Sequence, residues 1–255
     1  MKALILAAGE GTRLRPLTND RPKPMLPVAG RPLLAITIAQ LRAAGISDIA
    51  INLHYHPEAI TRHFGNGRAV DVSITYSYEP VVLGTAGAAR KLRGFLDETF
   101  LVIYGDVLAR LDYHRLIGFH RSHRAVSTLS LYRVANPTQV GLVGIDQQGQ
   151  ITRFLEKPKP EDVFTDLASA GIVVCEPTIL EQVPPETFFD FGHDLFPLLL
   201  DAGLPLYGLP LADNEYLIDI GTMDNYERAQ REWPRVEAQS KTVGRRGGGR
   251  DGVQP

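Results

Sequence analysis

The sequence has 255 residues, of which 44% are hydrophobic and 22% charged, and its net charge at pH 7 is −2. These proportions are ordinary for a soluble globular protein, and a chain of this length can bury one α/β core. The near-neutral charge excludes a general attraction to nucleic acid, so phosphate recognition must be local. The apolar stretches are too short to span a membrane. The single cysteine excludes an internal disulfide and favours a reducing compartment, which predicts a cytoplasmic location.

The first half of the chain alternates short apolar segments with helical ones. Strands are predicted at residues 3–7, 49–53, 72–76 and 99–103, and helices at 33–44, 57–64 and 85–92. Gly45 stands where a helix C-terminus favours glycine. The alternation predicts an α/β fold, with a Rossmann-like, mostly parallel twisted sheet and helices on both faces. Because the first strand begins so early, we expect no signal peptide before it.

The pattern changes near residue 125. Strands predicted at 126–132, 141–145, 151–155 and 170–175 are joined by turn-rich connections, so we expect antiparallel strands that form one side of a pocket. Helices at 193–200 and 223–232 follow, with a strand near 216–218 between them. Residues 233–255 are rich in Arg, Gly and polar residues, which predicts a disordered, solvated tail after a folded domain at 1–232.

The loop after the first strand carries the clearest chemical signal. Gly9 and Gly11 are followed by Thr12 and Arg13, and Lys23 stands between two prolines. Glycines let backbone N–H groups approach an anion, and an arginine fork suits phosphate oxygens. The spacing is not that of a P-loop or a dinucleotide fingerprint, and the short glycine pattern alone is also typical of a plain turn. The whole run predicts a loop that binds a polyphosphate.

Two carboxylates follow apolar segments of the chain. Asp106 comes after the strand at 99–103, and Asp219 comes after the strand near 216–218. A carboxylate at the carboxyl end of a strand can hold Mg²⁺, although either aspartate alone is also typical of a helix cap or a turn. Two acids that arrive from separate strands can share one ion. This favours a magnesium site at Asp106 and Asp219.

Two further segments are candidates for ligand contacts. Lys157 lies between Glu156 and a proline, where it can offer a point charge to a phosphate, although a surface turn has the same pattern. Gly84 and Thr85 predict a tight turn at a helix start. A flat ligand can lie against the backbone of such a turn, although helix capping alone would explain these residues.

Histidines occur in two close pairs, at positions 54 and 56 and at positions 120 and 123. A structural zinc ion needs four ligands, and neither pair has a third ligand in its pattern. We therefore expect solvated or capping histidines at these positions.

Taken together, these segments resemble the sugar nucleotidyltransferases, the pyrophosphorylases that make nucleotide sugars. The resemblance covers the chain from residue 1 to about residue 231 and is strongest to the mannose-1-phosphate guanylyltransferase type, with heptose-1-phosphate guanylyltransferases also near. The finer resemblance is carried by FGHDLFP at 191–197 and DIGT at 219–222.

The resemblance implies a role for each matching position. The catalytic residues would be Arg13, Lys23 and Asp106, and the Mg²⁺ ligands would be Asp106 and Asp219. The nucleotide would be bound by Leu6, Ala8, Gly9, Gly11, Thr12, Arg13, Glu79, Gly84 and Thr85. The sugar phosphate would be bound by Gly141, Glu156, Lys157, Ser169 and Gly171.

Two positions depart from the family pattern. Tyr104 stands where a small polar residue commonly precedes Gly-Asp, and Ser169 stands where an asparagine usually contacts the sugar. The serine leaves the identity of the sugar open.

The reaction that the resemblance implies is a Mg²⁺-dependent in-line displacement between a nucleoside triphosphate and a sugar 1-phosphate, giving a nucleotide sugar and pyrophosphate. GTP is favoured because an ionised Glu79 only accepts hydrogen bonds, and guanine offers two adjacent donors. Thymidylyl, uridylyl or adenylyl transfer to glucose 1-phosphate or a cyclitol phosphate stays an alternative, as does a non-catalytic module that senses nucleotide sugars. We expect no nucleic-acid or membrane partner, and a monomer or homodimer, since no hexapeptide repeat follows the final helix.

Overall fold

The computed structural model describes residues 1–243. The strands are β1 (Lys2–Leu6), β2 (Pro27–Val28), β3 (Arg31–Pro32), β4 (Asp48–Leu53), β5 (Ser73–Tyr78), β6 (Phe100–Tyr104), β7 (Val107–Arg110), β8 (Ser127–Arg133), β9 (Gly141–Ile145), β10 (Ile151–Glu156), β11 (Leu167–Cys175), β12 (Leu206–Pro210) and β13 (Tyr216–Asp219). The α-helices are α1 (Leu33–Ala43), α2 (Pro57–Phe64), α3 (Gly84–Lys91), α4 (Tyr113–His123), α5 (Phe196–Asp201) and α6 (Met223–Val243). A π-helical turn at Phe191–Leu195 leads directly into α5.

In the described part of the chain, a nine-stranded mixed sheet has the strand order β10-β9-β11-β6-β1-β4-β5, and β8 pairs with both β11 and β12. Strands β6, β1, β4 and β5 run parallel to one another. Strand β11 runs antiparallel to β6 and β8, and β9 runs antiparallel to β10. The predicted α/β sheet, parallel at first and extended by antiparallel strands, is confirmed.

Helices pack on both faces of this sheet, as predicted. On one face α1, α2 and α4 contribute the buried side chains Leu34, Ile60 and Leu116 to a core shared with β1 and β4. On the other face α3 and α5 contribute Ala86 and Phe196 to a second core. Apolar residues on both sides of the strands make this sheet the centre of the domain.

A third apolar cluster lies outside the sheet, under α6. Trp233 and Tyr226 of α6 pack with Ile218 of β13 and with Leu14 and Leu26, which flank the glycine loop and the Lys23 segment. Burial of Leu14 and Leu26, which are 0% and 2% exposed, fixes both segments relative to the sheet.

Local signals account for several boundaries. Gly45 follows α1 with a φ of 78°, the left-handed conformation expected of a glycine just after a helix. The side chain of Asp112 accepts a hydrogen bond from the N–H of Arg115 at 3.0 Å and caps α4. Helix α4 and strands β7 and β12 were not predicted. A glycine at position 118 and scattered polar residues weaken the periodicity of α4, and β7 and β12 are only four and five residues long.

Helix α6 corrects the predicted domain boundary. We expected the folded domain to end at residue 232, but α6 continues through Pro234 to Val243. The reason is tertiary: Trp233 is buried, and the carbonyl of Val236 accepts a hydrogen bond from Arg110 Nη1 at 2.8 Å. The predicted disorder of the rest of the tail, from residue 244, lies outside the described residues.

Across residues 1–243, no helix combines the length and the apolar character that a membrane-spanning segment needs.

Candidate active site

The glycine loop connects the carboxyl end of β1 to a single 3₁₀ turn at Thr12–Leu14. Gly11 has a φ of 65°, and a Cβ atom there would lie 3.1 Å from the Thr18 side chain and 3.3 Å from Cβ of Lys23. The Thr18 hydroxyl donates to the carbonyl of Gly11 at 2.9 Å. Glycine is therefore required at position 11 by both conformation and space, and the loop packs directly against the Lys23 segment.

Lys23 and Asp106 form an ion pair at the carboxyl end of the parallel strands. Lys23 Nζ lies 2.7 Å from Asp106 Oδ2, and the two side chains are only 12% and 26% exposed. Between β6 and Asp106, the N–H of Gly105 donates to the carbonyl of Leu6 at 2.8 Å, and a Cβ at position 105 would lie 2.5 Å from that oxygen. This close approach of two strand ends brings Asp106 to the glycine loop.

Asp219 reaches the same place from β13. Strand β13 pairs antiparallel with β7, and the N–H of Ile220 donates to the carbonyl of Asp106 at 3.0 Å. The N–H of Gly221 donates to Asp219 Oδ1 at 2.6 Å. A Cβ on Gly221 would lie 2.8 Å from that carboxylate oxygen and 2.9 Å from Arg13 Nη2, so both side chains lie against this glycine.

The charges of this group act on one another. Burial, and then the negative charge of Asp106, raises the pKa of Asp219 to about 6, while Lys23 and Arg13 act in the opposite direction. Two carboxylates and two cations therefore share one partly buried region. The structure brings together Arg13, Lys23, Asp106 and Asp219, which are spread over more than 200 positions of the sequence.

Two pockets open on this region. The glycine-loop pocket is lined by five of the residues predicted to bind the nucleotide, namely Leu6, Ala8, Gly9, Gly84 and Thr85, and also by Lys23 and Asp106. The strand pocket is lined by all five residues predicted to bind the sugar phosphate, namely Gly141, Glu156, Lys157, Ser169 and Gly171, and also by Arg13, Asp106 and Asp219. Arg13 thus lies in the strand pocket, and Gly11 and Thr12 line neither one.

Three residues line both pockets: Tyr104, Asp106 and Asp190. The ring of Tyr104 packs against Gly171, where a Cβ would lie 3.1 Å from Cγ of the tyrosine and where φ is 68°. Burial raises the pKa of Tyr104, and the negative charge of Asp190 adds to this effect. The unexpected tyrosine before Gly105 is therefore a neutral wall between the two pockets.

Asp190 was missed by the sequence analysis. Its Oδ2 accepts a hydrogen bond from the Thr85 hydroxyl at 2.8 Å, and its Oδ1 accepts from the N–H groups of Gly192 at 2.8 Å and His193 at 3.3 Å. The carboxylate thereby ties the start of α3, in the glycine-loop pocket, to the π-helical turn beside the strand pocket. A signal existed, since an aspartate before a helix is a common N-cap.

Glu156 occupies a narrow slot in the strand pocket. A Cβ on Gly141 would lie 2.5 Å from Glu156 Oε2, and a Cβ on Gly192 would lie 2.6 Å from the same atom. Burial raises the pKa of Glu156, and Lys157, whose Nζ lies 3.8 Å from Glu156 Oε1, partly opposes this. Lys157 has a φ of 44°, and its side chain is 58% exposed. Gly141 and Gly192 thus leave space for the Glu156 carboxylate, next to the exposed ammonium group of Lys157.

Glu79 is hydrogen-bonded within the protein. Its side chain is fully buried, with Oε1 accepting from Asn52 Nδ2 at 2.9 Å and Oε2 accepting from the N–H of Leu83 at 3.0 Å. Both oxygens are used within the protein, and the residue does not line the glycine-loop pocket. The carboxylate therefore supports the turn before α3, and its contact with a base stays a prediction.

The histidines have protein partners. His120 is buried, with Nδ1 2.9 Å from Thr128 Oγ1 and Nε2 3.1 Å from Glu176 Oε1. Nδ1 of His54 lies 2.7 Å from the carbonyl oxygen of Glu79. These contacts are structural, and His120 corrects the expectation, because it is a buried residue and neither solvated nor capping.

The chain is similar in sequence to proteins of known family. Residues 2–235 match the family model described as Nucleotidyl transferase. The chain is 38% identical over 248 residues to a mannose-1-phosphate guanylyltransferase of Mycobacterium tuberculosis, covering 96% of this chain and 68% of that protein. It is 36% identical over 245 residues to a UTP--glucose-1-phosphate uridylyltransferase of Synechocystis sp., covering 91% of this chain and 63% of that protein. The chain spans about two thirds of the length of these relatives.

Solved structures share the fold. HddC from Yersinia pseudotuberculosis, complexed with GMP-PN, superposes with a TM-score of 0.76 at 27% identity, covering 91% of this chain and 99% of that one. A UDP-glucose pyrophosphorylase complexed with UDP-glucose superposes with a TM-score of 0.80 at 22% identity, covering 92% and 98%, and at this identity it shows the fold alone. From the family match, the identity to the Mycobacterium protein and the shared fold, we conclude that the chain belongs to the nucleotidyl transferase family.

Proposed function

We propose that this protein is a sugar-1-phosphate nucleotidyltransferase, which joins a nucleoside triphosphate to a sugar 1-phosphate and releases pyrophosphate. The observation that carries the proposal is the pair of pockets that meet at Tyr104, Asp106 and Asp190. The glycine-loop pocket would bind the triphosphate and the strand pocket the sugar phosphate, so that the reacting groups meet at the shared wall. The names of the Mycobacterium and Synechocystis relatives support this reaction class.

The reaction is a single displacement at phosphorus. An oxygen of the sugar phosphate forms a bond to the α-phosphorus of the triphosphate, and the bond from that phosphorus to the bridging oxygen of the β-phosphate breaks. The electron pair of the broken bond leaves with pyrophosphate. Because the nucleophile is already an anion, the protein needs no general base, and its task is to position two anions and to neutralise their charge.

Three cations are suitably placed for this task. Lys23 lies in the glycine-loop pocket, where it would contact the α-phosphate. Arg13 and Lys157 line the strand pocket, where Lys157 would contact the incoming phosphate. The resemblance assigned Arg13 to the nucleotide, but its place beside Asp219 and in the strand pocket also suits contact with the sugar phosphate. Each contact would strengthen as charge concentrates at the reacting phosphorus.

Asp106 and Asp219 form a donor set that fits Mg²⁺. The negative charge of Asp106 helps to raise the pKa of Asp219, which shows that the two carboxylates act on one another. Mg²⁺ is commonly held by one or two carboxylates together with substrate phosphates. When bound, the ion supplies positive charge to phosphate oxygens. Asp106 and Asp219 would hold it, and Lys23, whose Nζ lies 2.7 Å from Asp106 Oδ2, would contact a substrate phosphate beside them.

The choice of nucleotide is the finer part of the proposal. GTP is favoured by the name of the Mycobacterium relative and by the GMP-PN complex of the Yersinia protein. The argument from Glu79 no longer contributes, because that carboxylate is buried. The name of the Synechocystis relative favours UTP and glucose 1-phosphate as the second candidate. A cytoplasmic location and a monomeric or homodimeric state stay predictions.

A substrate matrix tests the proposal. The purified full chain is incubated with Mg²⁺ and each of GTP, UTP, dTTP and ATP against mannose, glucose, heptose and cyclitol 1-phosphates, and pyrophosphate and the nucleotide sugar are measured. We expect turnover with at least one pair of substrates, and the highest turnover with GTP and mannose 1-phosphate. A chelator of Mg²⁺ should abolish this turnover. Turnover highest with UTP and glucose 1-phosphate would select the second candidate. If the protein binds a triphosphate but releases pyrophosphate with no pair of substrates, the result would support a non-catalytic sensing module instead.

A further inference from the structure

An aromatic side chain stands exposed at the glycine-loop pocket. Phe188 is 63% exposed and Val82 is 37% exposed, and both line this pocket. Large apolar side chains normally lose most of their contact with water on folding, and a phenylalanine exposed at the edge of a concave site has apolar area available for a ligand.

The backbone around Phe188 is firmly held. The N–H of Phe189 donates to the carbonyl of Leu83 at 2.9 Å, and the carbonyl of Phe189 accepts from the N–H groups of Ala86 and Gly87, each at 2.9 Å. The contact is so close that a Cβ on Gly84 would lie 2.5 Å from the Phe189 carbonyl oxygen. The segment that carries Phe188 and the turn that carries Val82 are therefore packed as one unit.

Glu79 stabilises this unit, because its Oε2 accepts a hydrogen bond from the N–H of Leu83 at 3.0 Å. Glu79 itself is held by Asn52, at 2.9 Å. The exposed phenyl ring thus extends from a preformed turn, so a ligand that packs on it needs little reordering of the backbone.

The glycine-loop pocket is chemically divided. Lys23, Asp106 and the glycine loop supply charge and free backbone N–H groups, whereas Val82, Phe188 and Leu6 supply apolar surface. A nucleoside triphosphate has the same division, with a charged tail and a flat aromatic base. Resting on the proposed function, we infer that Phe188 packs against the face of the nucleobase and, with Val82, forms the apolar wall of the base site.

Packing of this kind is insensitive to which base is bound, because every base has an aromatic face. Loss of one base–aromatic stack costs about 1–3 kcal/mol, which corresponds to a loss of affinity of about 5-fold to 150-fold. Phe188→Ala is therefore expected to weaken GTP and UTP alike and to raise the KM for the triphosphate more than it lowers kcat. Inorganic tripolyphosphate, which has no base, is expected to bind the variant and the parent equally.

The experiment measures binding of GTP, UTP and inorganic tripolyphosphate by calorimetry to the full chain, to Phe188→Ala and to Phe188→Tyr. Leu198→Ala is the matched control, because Leu198 is 41% exposed on α5 and lines neither pocket. We expect Phe188→Tyr and Leu198→Ala to resemble the parent, and the melting temperature of Phe188→Ala to be unchanged.

Equal binding of nucleotides by Phe188→Ala and the parent would overturn the inference alone. So would an equal loss of tripolyphosphate affinity, since that indicates a distorted pocket. A parent protein that binds none of GTP, UTP, dTTP and ATP would overturn the proposed function and this inference with it.

Discussion

The carboxylate of Glu79 and the amide of Asn52 form a buried hydrogen bond of 2.9 Å that joins two sides of the glycine-loop pocket. Asn52 Oδ1 accepts from the N–H of Ala7 at 2.7 Å, at the end of β1, and Glu79 Oε2 accepts from the N–H of Leu83, before α3. The pair therefore sets the distance between the backbone segments on either side of this pocket. The hydrogen-bond partners of both side chains are known, so the pair can be tested by exchanging the amide and the carboxylate between positions 52 and 79.

Exchanging the two functional groups should restore what each single change breaks. In Glu79→Gln, an NH₂ group replaces one of the two oxygens that accept hydrogen bonds from Asn52 and from the N–H of Leu83. In Asn52→Asp, two carboxylates come into contact. Each single change should lower the free energy of unfolding by about 1–3 kcal/mol. In the double variant the new amide at position 79 donates to the new carboxylate at position 52 and accepts from the N–H of Leu83, so most of the loss should be recovered. Denaturant unfolding of the four proteins measures this coupling.

The same variants separate two roles for Glu79. With the carboxylate buried, Glu79→Gln should leave the ratio of GTP to UTP turnover unchanged while stability falls. A changed ratio at unchanged stability would show that Glu79 contacts the base after all. The control is Glu161→Gln, at an exposed glutamate.

Lys23→Met should remove charge from the reaction without unfolding the protein. The side chain is held by Asp106 at 2.7 Å and is 12% exposed, so its loss is local. We expect kcat/KM to fall by about 10²-fold to 10³-fold, the loss seen when one preorganised electrostatic donor is removed. Pyrophosphate release measures the rate, and Lys159→Met, at an exposed lysine, is the control. Normal turnover by Lys23→Met would exclude Lys23 from the reaction.

Gly192→Ala should act on the strand pocket alone. The new Cβ would lie 2.6 Å from Glu156 Oε2, and this atom is the end of a flexible side chain, so the carboxylate moves while the backbone stays. We expect the KM for the sugar phosphate to rise by about 10-fold, on the order of one hydrogen bond to a charged group, with the KM for the triphosphate unchanged. Steady-state kinetics with each substrate varied in turn measures both.

Gly118→Ala is the control for this change, because a Cβ at position 118 meets no atom within 4 Å. It should leave both KM values as they are. If Gly192→Ala instead raises the KM for the triphosphate alone, the assignment of the two pockets is reversed.

The pH dependence of stability should report His120. Burial lowers the pKa of His120 below its ordinary value of 6.5, and the hydrogen bond with Glu176 only partly opposes this, while Arg121 adds to the lowering. A histidine with a lowered pKa in the folded state favours folding while it is neutral in both states. That stability is present above pH 6.5 and is lost as the pH falls toward the folded-state pKa.

His120 should therefore contribute a decrease in the free energy of unfolding between pH 7 and about pH 5, while the raised pKa values of Asp219 and Glu156 act in the opposite direction. His120→Asn should remove the contribution of His120 to that slope and lower stability at pH 7. Denaturant titrations at each pH measure the free energy of unfolding of the parent and the variant. His63→Asn, at an exposed histidine, should keep the slope of the parent. A slope that is the same in His120→Asn would assign the pH dependence to other groups.

Local patterns predicted much of the sheet and of the glycine-loop pocket. The strands and helices predicted for the first half lie within two residues of their observed bounds, because apolar periodicity and glycine positions are local properties. The glycine loop and Asp106 were both placed after apolar strands, and these two strands are parallel neighbours, so their carboxyl ends lie at one edge of the sheet. Short or weakly periodic elements such as β7 and α4 gave no comparable signal.

By itself, the sequence determined which chemical groups the site holds: a glycine loop that admits an anion, dispersed cations and two acids after apolar strands. Tertiary structure alone decided how some of these groups are used. Glu79 became a buried support because Asn52 and Leu83 lie against it, and Asp190 became a link because Thr85 reaches it across 105 positions. The physical reason is that a carboxylate binds whichever donors folding brings near it, and the decisive donors, Asn52 for Glu79 and Thr85 for Asp190, lie 27 and 105 positions away along the chain.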